Sequence, residues 1–467
     1  MGPPLVCMSG EQSTMSSVWA ACLAACLGGL DGPTIAVGVA KVDITPDYPV
    51  RLHGYNSRQG PAVGVQQRLF AKALAIGTDA EGASVLISLD NLGVTNAIGT
   101  EIGVRLARVG MKREHLAITA SHTHSAPCLK GVAPHIFGRD LPANEQAAID
   151  RYTQELTDKL EKVALAALAD RRAASLAWGQ GRCEFAINRR VIRPDGTVAF
   201  GENGTGPVDH SVPVLIAKDD SDTPRAIVVG YACHCTTLDP KENVISGDWA
   251  GYAQEAIEKE FPSAIALTII GCGADANPIG RTSLDKAKEH GASLAKEAAR
   301  IVREGPLQPL RVAPDGRSRT IELPFDTLPT RDQLEKLKVA GGAPGHNASK
   351  MIERLDQSGA LSPSLRYQVQ TWRFGEDLVM VFLAGEVVVD YATRLKGELD
   401  ARRIWVVAYA NDAPCYVPSE RVLREGGYEA AGAMVYYAHP TRLAPGVEDR
   451  IISAVRELVP TSFRVAP

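Results

Sequence analysis

From Thr34 onward, short apolar runs alternate with longer segments of helical period. IAVGVAKVDIT, RLFAKALAIG, ASVLISLDNLG and HLAITASHTHS end in Gly, Pro or polar turns and predict strands. IGTEIGVRLARVG predicts a short helix, and Asn144 to Asp170 keeps helical period throughout. SLAWGQGRCEFAINRR reads as a strand, then a turn. PVLIAKD and RAIVVGYACHCTTL read as two β-rich runs separated by DSDTPR. Helices are expected from near Asp248 and across Leu284 to Arg303. Beyond these come a strand, one helix near Arg331 to Leu355, two strands around Val369 to Val388, a strand RIWVVAYAN, and a last helix near Gly446 to Leu458. βα alternation mixed with adjacent strand pairs argues for an α/β fold of mixed α+β layers, not a clean doubly wound sheet or an eight-fold barrel.

The chain has 467 residues, long enough for two to three domains or one large α/β unit. Residues 304–317, EGPLQPLRVAPDGR, are Pro/Gly-rich and aperiodic and mark the expected internal boundary. The reading divides the chain into an N-terminal extension or signal segment, 1–32, and a single large unit, 33–467. A net charge of −4 leaves no basic surplus, so nucleic acid is not an expected partner. Nine cysteines leave at least one thiol unpaired in a monomer and make no disulfide framework, which fits a reducing compartment. MSSVWAACLAACLGGL is apolar and contains LAAC, which resembles a lipoprotein cleavage box, yet no Lys or Arg precedes it. A cytoplasmic location is therefore expected over export. No run is long and apolar enough to predict a transmembrane span.

Candidate chemistry sits where apolar runs end. In extended backbone alternate side chains share a face, so His122 and His124 of ITASHTHSAP are expected to point the same way. Two imidazoles there suit a divalent metal, one ligand beside one acid/base, or two hydrogen-bonded surface histidines. In YACHCTTLDP, His234 takes the face opposite Cys233 and Cys235. It reads as a third nitrogen ligand or as a buried histidine between structural thiols. A cysteine-based zinc site would need a second Cys pair that is not evident. Glu386 lies between two apolar runs, where a carboxylate is costly unless paired, metal-bound or capping a helix. ALTIIGCGADANPIG sets Cys272 between two glycines at a strand tip, with Asp275 just after it. Tyr416 and Tyr428 carry no signal of their own. Two imidazoles and a carboxylate match a catalytic zinc site with one open position, where the pKa of water falls to about 7.

Taken in order, VAKVDITPDYPVRLHGYNSR, QRLFAKALAI, SHTHSAP, INRR, CHCTTL, ISGDWAGYAQEAIE, GADANP, LAGEVVV and the Tyr416 region resemble the neutral ceramidase family (neutral/alkaline, non-lysosomal), over roughly Val37 to Leu443. The resemblance implies that family's catalytic domain, without its C-terminal β-sandwich domain. It implies one zinc ion per chain, held by His122, His234, Glu386 and Tyr416. It implies hydrolysis of an amide bond in an N-acyl, ceramide-like lipid or small molecule. His124 is then expected to handle protons, and Arg189 and Tyr428 to stabilise the oxyanion. Cys272, where the family has Ser, and Asp275 are expected in the substrate pocket, Cys272 as a wall and not a nucleophile. An esterase or lactonase would use the same site. A non-catalytic metal- or lipid-binding homologue is the remaining alternative, and the intact His124 argues against it.

Overall fold

The computed structural model describes residues 34–465, together with Met1, Gly2 and Pro4. The 1–32 segment lies almost wholly outside the described residues. Two sheets and the helices that cover them organise the rest. The larger sheet has nine strands. Its order runs Ile265–Ile270, Pro224–Tyr231, Ser211–Lys218, Arg172–Arg182, Ile35–Asp43, Phe70–Ile76, Ser84–Leu89 and Leu116–Ala120, with Gln308–Leu310 added beside Arg172–Arg182. The smaller sheet orders Asp315–Pro324, Ser364–Phe374, Leu378–Leu383 and Ile404–Val407.

Both faces of the central strands are buried, and the strict two-residue period decides which core each side chain joins. Ala226 and Val228 face a core shared with Met380, Phe382, Trp372 and Trp405 of the smaller sheet. Ile227, Val229 and Tyr231 point the other way, into a core that holds Val379, Val381 and Leu383. The helix Ala143–Ala169 packs on Ile35–Asp43 and Phe70–Ile76, Asp248–Glu260 packs on Ile265–Ile270, and Val447–Leu458 covers the smaller sheet. The result is the mixed α/β layering expected from the sequence.

The larger sheet curls until its two edges meet. Ser88 Oγ donates to the Thr268 carbonyl at 2.6 Å, and Lys72 Nζ donates to the Ala266 carbonyl at 2.7 Å. The edge strands Leu116–Ala120 and Ile265–Ile270 are thereby in contact, although they are far apart in strand order. This closure carries the loops after Ala120, Tyr231 and Ile270 to one end of the molecule.

Two expectations change. Residues 304–317 do not divide the core: Gln308–Leu310 pairs with the larger sheet, Asp315–Pro324 starts the smaller one, and the core between the sheets draws on both sides of the segment. Pro and Gly mark a crossing between layers as readily as a linker. The single helix near Arg331 to Leu355 is two, Arg331–Ala340 and Gly342–Ser358. They break at Gly341, and Pro344 falls in the first turn of the second, where a missing N–H costs nothing.

Candidate active site

The His-Thr-His motif leaves its strand before its first histidine. The strand stops at Ala120, and His122 takes a left-handed backbone, φ 57°. Shared strand faces therefore do not bring the rings together. An isolated parallel bridge between Thr123 and Cys235 ties this motif to the Cys-His-Cys segment, and His124 N–H donates to the Cys235 carbonyl at 3.2 Å. Left-handed non-glycine residues cost energy and persist where the surroundings over-determine them. Tyr409, at φ 53°, is another, and its ring lies 4.2 Å from that of His122. Cys233 and Cys235 are buried in the core while His234 turns to the site, so the opposite-face expectation agrees with their placement.

All three histidines present the same nitrogen to the centre. His122 Nδ1 donates to the Leu92 carbonyl at 2.7 Å, His234 Nδ1 to that of Gly273 at 2.9 Å, and His124 Nδ1 to that of Gly54 at 3.0 Å. A carbonyl can only accept, so each Nδ1 carries the proton and each Nε2 a lone pair. Burial, the largest influence, and the neighbouring imidazoles hold His124 well below its ordinary range. Burial followed by the Arg189 charge pushes His234 down to about 3. Neutral imidazoles with bare Nε2 atoms are the form that ligates metals.

Glu386 and Tyr416 meet as direct partners in a two-residue parallel pairing, Glu386–Val387 against Tyr416–Val417. Gly385, at φ 76°, makes this approach feasible, because a Cβ there would lie 2.5 Å from the Cys415 carbonyl oxygen. Glu386 Oε2 stands 3.1 Å from His122 Nε2 and 3.2 Å from His234 Nε2, and it is buried with no hydrogen-bond donor. The Tyr416 hydroxyl lies 3.2 Å from His234 Nε2, and His124 Nε2 lies 3.2 Å from His122 Nε2. The Tyr416 O–H can donate to His234 Nε2, but the two Glu386 contacts and the His122–His124 contact set lone pair against lone pair, which is repulsive unless a cation joins them. These separations are near the ~3.4 Å edge of a tetrahedron with bonds of about 2.1 Å. The residues fit a divalent cation: the ring nitrogens of His122, His124 and His234 all lie within 4.8 Å of one another.

Cys272 is placed differently from the expectation. It is 1% exposed in the core and is not among the residues lining the cavity at the site. Burial pushes its thiol further up, away from the thiolate a nucleophile needs. The Gly-Cys-Gly turn serves the site through its backbone instead. A Cβ on Gly273 would lie 2.5 Å from the Cys233 nitrogen, so only glycine allows its carbonyl to reach and orient His234. Cys272→Ser is accordingly expected to keep kcat within about threefold while losing about 1–2 kcal/mol of stability for the buried hydroxyl. Steady-state kinetics beside a urea melt reads both; a dead, fully folded serine variant would contradict this placement.

Asp275 also lies outside the cavity lining, fully buried. Its carboxylate accepts from Val389 N–H at 2.9 Å and Asn188 Nδ2 at 3.2 Å, and its carbonyl accepts from Arg189 N–H at 2.8 Å. It anchors the strand that carries Arg189. Arg189 reaches the site, where Nη2 donates to the Tyr416 hydroxyl at 3.1 Å, Nη1 to Asn277 Oδ1 at 3.4 Å and Nε to Glu429 Oε1 at 2.8 Å. Its direct contact is with the phenolic oxygen of Tyr416.

A cavity of about 390 Å³ opens over the centre. His124, half-buried, stands between the two. Tyr428 and Arg189 line the same cavity, with Tyr428 packed edge-on to Tyr416 at 5.3 Å between ring centres. Sequence reasoning missed Tyr437, whose hydroxyl donates to Glu386 Oε1, and Glu429, which binds both Arg189 and Arg190. It also missed Arg281 and Tyr55 on the cavity wall. Glu429 follows Tyr428 directly, but nothing in a Tyr-Glu pair signals a buried ion pair.

The sequence profile of the N-terminal region of the neutral/alkaline non-lysosomal ceramidases matches residues 35–271, half of the chain. The chain belongs to the neutral/alkaline non-lysosomal ceramidase family. His122, His124, Arg189 and His234 fall inside the matched stretch; Glu386, Tyr416 and Tyr428 fall beyond it. The neutral ceramidase of Drosophila melanogaster is 25% identical over 253 residues, 50% of this chain and 34% of the fly protein. That of Pseudomonas aeruginosa is 24% identical over 255 residues, 50% of this chain and 36% of the bacterial protein. The aligned part is thus about a third of the length of these curated relatives. The crystal structure of the Pseudomonas aeruginosa neutral ceramidase superposes with a TM-score of 0.69 at 19% identity, covering 94% of this chain and 77% of that one. At that identity the likeness is one of fold, and it extends past the stretch the family profile matches.

Proposed function

We propose that the protein is a zinc-dependent hydrolase of amide bonds in N-acyl substrates. The observation that carries this reading is the convergence of His122 and His234 Nε2 on a buried Glu386 oxygen without a donor, at the floor of a cavity. His122, His234, Glu386 and Tyr416 would hold the metal, and zinc in that set supplies Lewis-acid catalysis. Family membership supports the amide as the scissile bond, and no one acyl chain or head group follows from it.

The chain's own residues divide the remaining work. His124 Nε2 faces both centre and cavity, in position to accept the proton of attacking water and return it to the leaving amine nitrogen. Arg189 holds the Tyr416 oxygen and so acts through that ligand, while the Tyr428 hydroxyl is free among the described residues to donate to the developing oxyanion. Tyr55 and Tyr436 wall the cavity above the reacting bond.

The test is metal analysis of the purified protein together with turnover on N-acyl amides and matched esters. About one zinc per chain and chelator-sensitive amide cleavage are expected. Preferred cleavage of esters would favour an esterase on the same site. His124→Ala is expected to retain its zinc and lose about 10²- to 10⁴-fold in kcat. If zinc content falls in step with activity, His124 is a ligand and the division of roles is wrong.

A further inference from the structure

We propose that the cavity takes amides that carry a carboxylate a few atoms from the scissile bond, with Arg281 as the recognising group. This rests on the amide-hydrolase reading above. Arg281 lies half-buried in the cavity wall. Its Nε donates to the Thr236 carbonyl at 2.8 Å, which fixes the plane of the guanidinium. Its outer edge has one contact, from Nη2 to the Tyr55 hydroxyl at 3.4 Å. Among the described residues no carboxylate pairs with it, and no Asp or Glu lines the cavity.

Arg189 shows what a compensated arginine looks like in the same wall. Glu429, 1% exposed, binds it at 2.8 Å. Arg281 is left as an uncompensated cation that is already oriented. A guanidinium held by Nε presents two parallel N–H bonds at its far edge, the geometry that matches a carboxylate bidentately. The Tyr55 ring beside it lies 5.0 Å from the His124 ring, so an anion on Arg281 sits close to the reacting centre. A neutral head group would leave the charge with nothing but water to pair it.

The test uses three probes with matched twelve-carbon chains on zinc-loaded protein. N-dodecanoylglycine carries the carboxylate on the amine side, N-dodecylsuccinamic acid on the acyl side, and N-dodecanoylethanolamine is neutral. One of the acids is expected to exceed the ethanolamide in kcat/KM by about 10- to 100-fold, the scale of one charge-assisted bidentate contact. Which acid wins tells on which side of the amide the anion lies. In Arg281→Gln the acid-to-neutral ratio should fall close to one, with Arg281→Lys in between because it keeps the charge without the fork. No preference for either acid, or a preference that survives Arg281→Gln, overturns the proposal. If none of the probes is cleaved, the hydrolase reading fails separately, and calorimetric titration of the same compounds then decides recognition. Tighter binding of an acid that is lost in Arg281→Gln sustains the carboxylate site, and equal binding of all three overturns it.

Discussion

Glu386→Gln is expected to lose bound zinc and amide hydrolysis together, with kcat/KM down by about 10³-fold or more, roughly 4 kcal/mol of barrier. The substitution keeps the volume, and the side-chain oxygen can still accept from Tyr437, so the fold should hold. What it removes is the negative charge between two imidazoles that are 3.1 and 3.2 Å away. An amide can meet a bare Nε2 through its N–H, so the cluster becomes self-satisfied without a cation. Zinc content by atomic absorption, circular dichroism and turnover should be measured on one preparation. Full zinc occupancy with a folded, inactive enzyme would take Glu386 out of the ligand set and leave it a different role.

The largest effect on stability is expected from Glu429→Ala. Glu429 is 1% exposed and binds Arg189 at 2.8 Å and Arg190 at 2.6 Å. Arg190 keeps Glu425 at 3.0 Å and the Gly426 carbonyl at 2.8 Å, but Arg189 would keep only neutral partners. A buried charge stripped of its partner costs about 3–5 kcal/mol. Urea denaturation should show the midpoint moving down by the corresponding amount with little change in slope. The same change frees Arg189 from its anchor, so activity should fall even in the fraction that stays folded. A loss of stability below about 1 kcal/mol would mean that the guanidinium groups find water or other acceptors when Glu429 is gone.

Individual residues show how far the linear pattern reaches. Continuous apolar runs announce Pro224–Tyr231 and Leu378–Leu383 because burial on both faces demands them. His122, His234 and Glu386 are visible as buried polar groups beside apolar runs, where an unpaired charge or imidazole is costly, and His124 by its place in the His-Thr-His motif. Cys272 was misplaced for a definite reason. A strand-end Gly-Cys-Gly shows that something approaches closely, but not whether side chain or backbone does so, and here it is the Gly273 carbonyl. Arg189 was found and its contact was not, since which oxygen a guanidinium meets depends on the opposite loop.

The sequence by itself determined the layered α/β class, most of the strands, and three groups able to bind a metal, His122, His234 and Glu386, because those follow from local period and from the cost of burying polarity; Tyr416 entered only through the family resemblance. Only the tertiary structure decided that these groups converge. Glu386 and Tyr416 become register partners across a two-residue pairing, and the curl of the nine-stranded sheet brings its edge strands together. Thr123 then bridges to Cys235, and His122 accepts a left-handed backbone to aim its ring. The pairing of Glu429 with two arginines and the isolation of Arg281 were decided in the same way. A charge is compensated or left free by what lies opposite it in space, and spacing along the chain does not encode that distance.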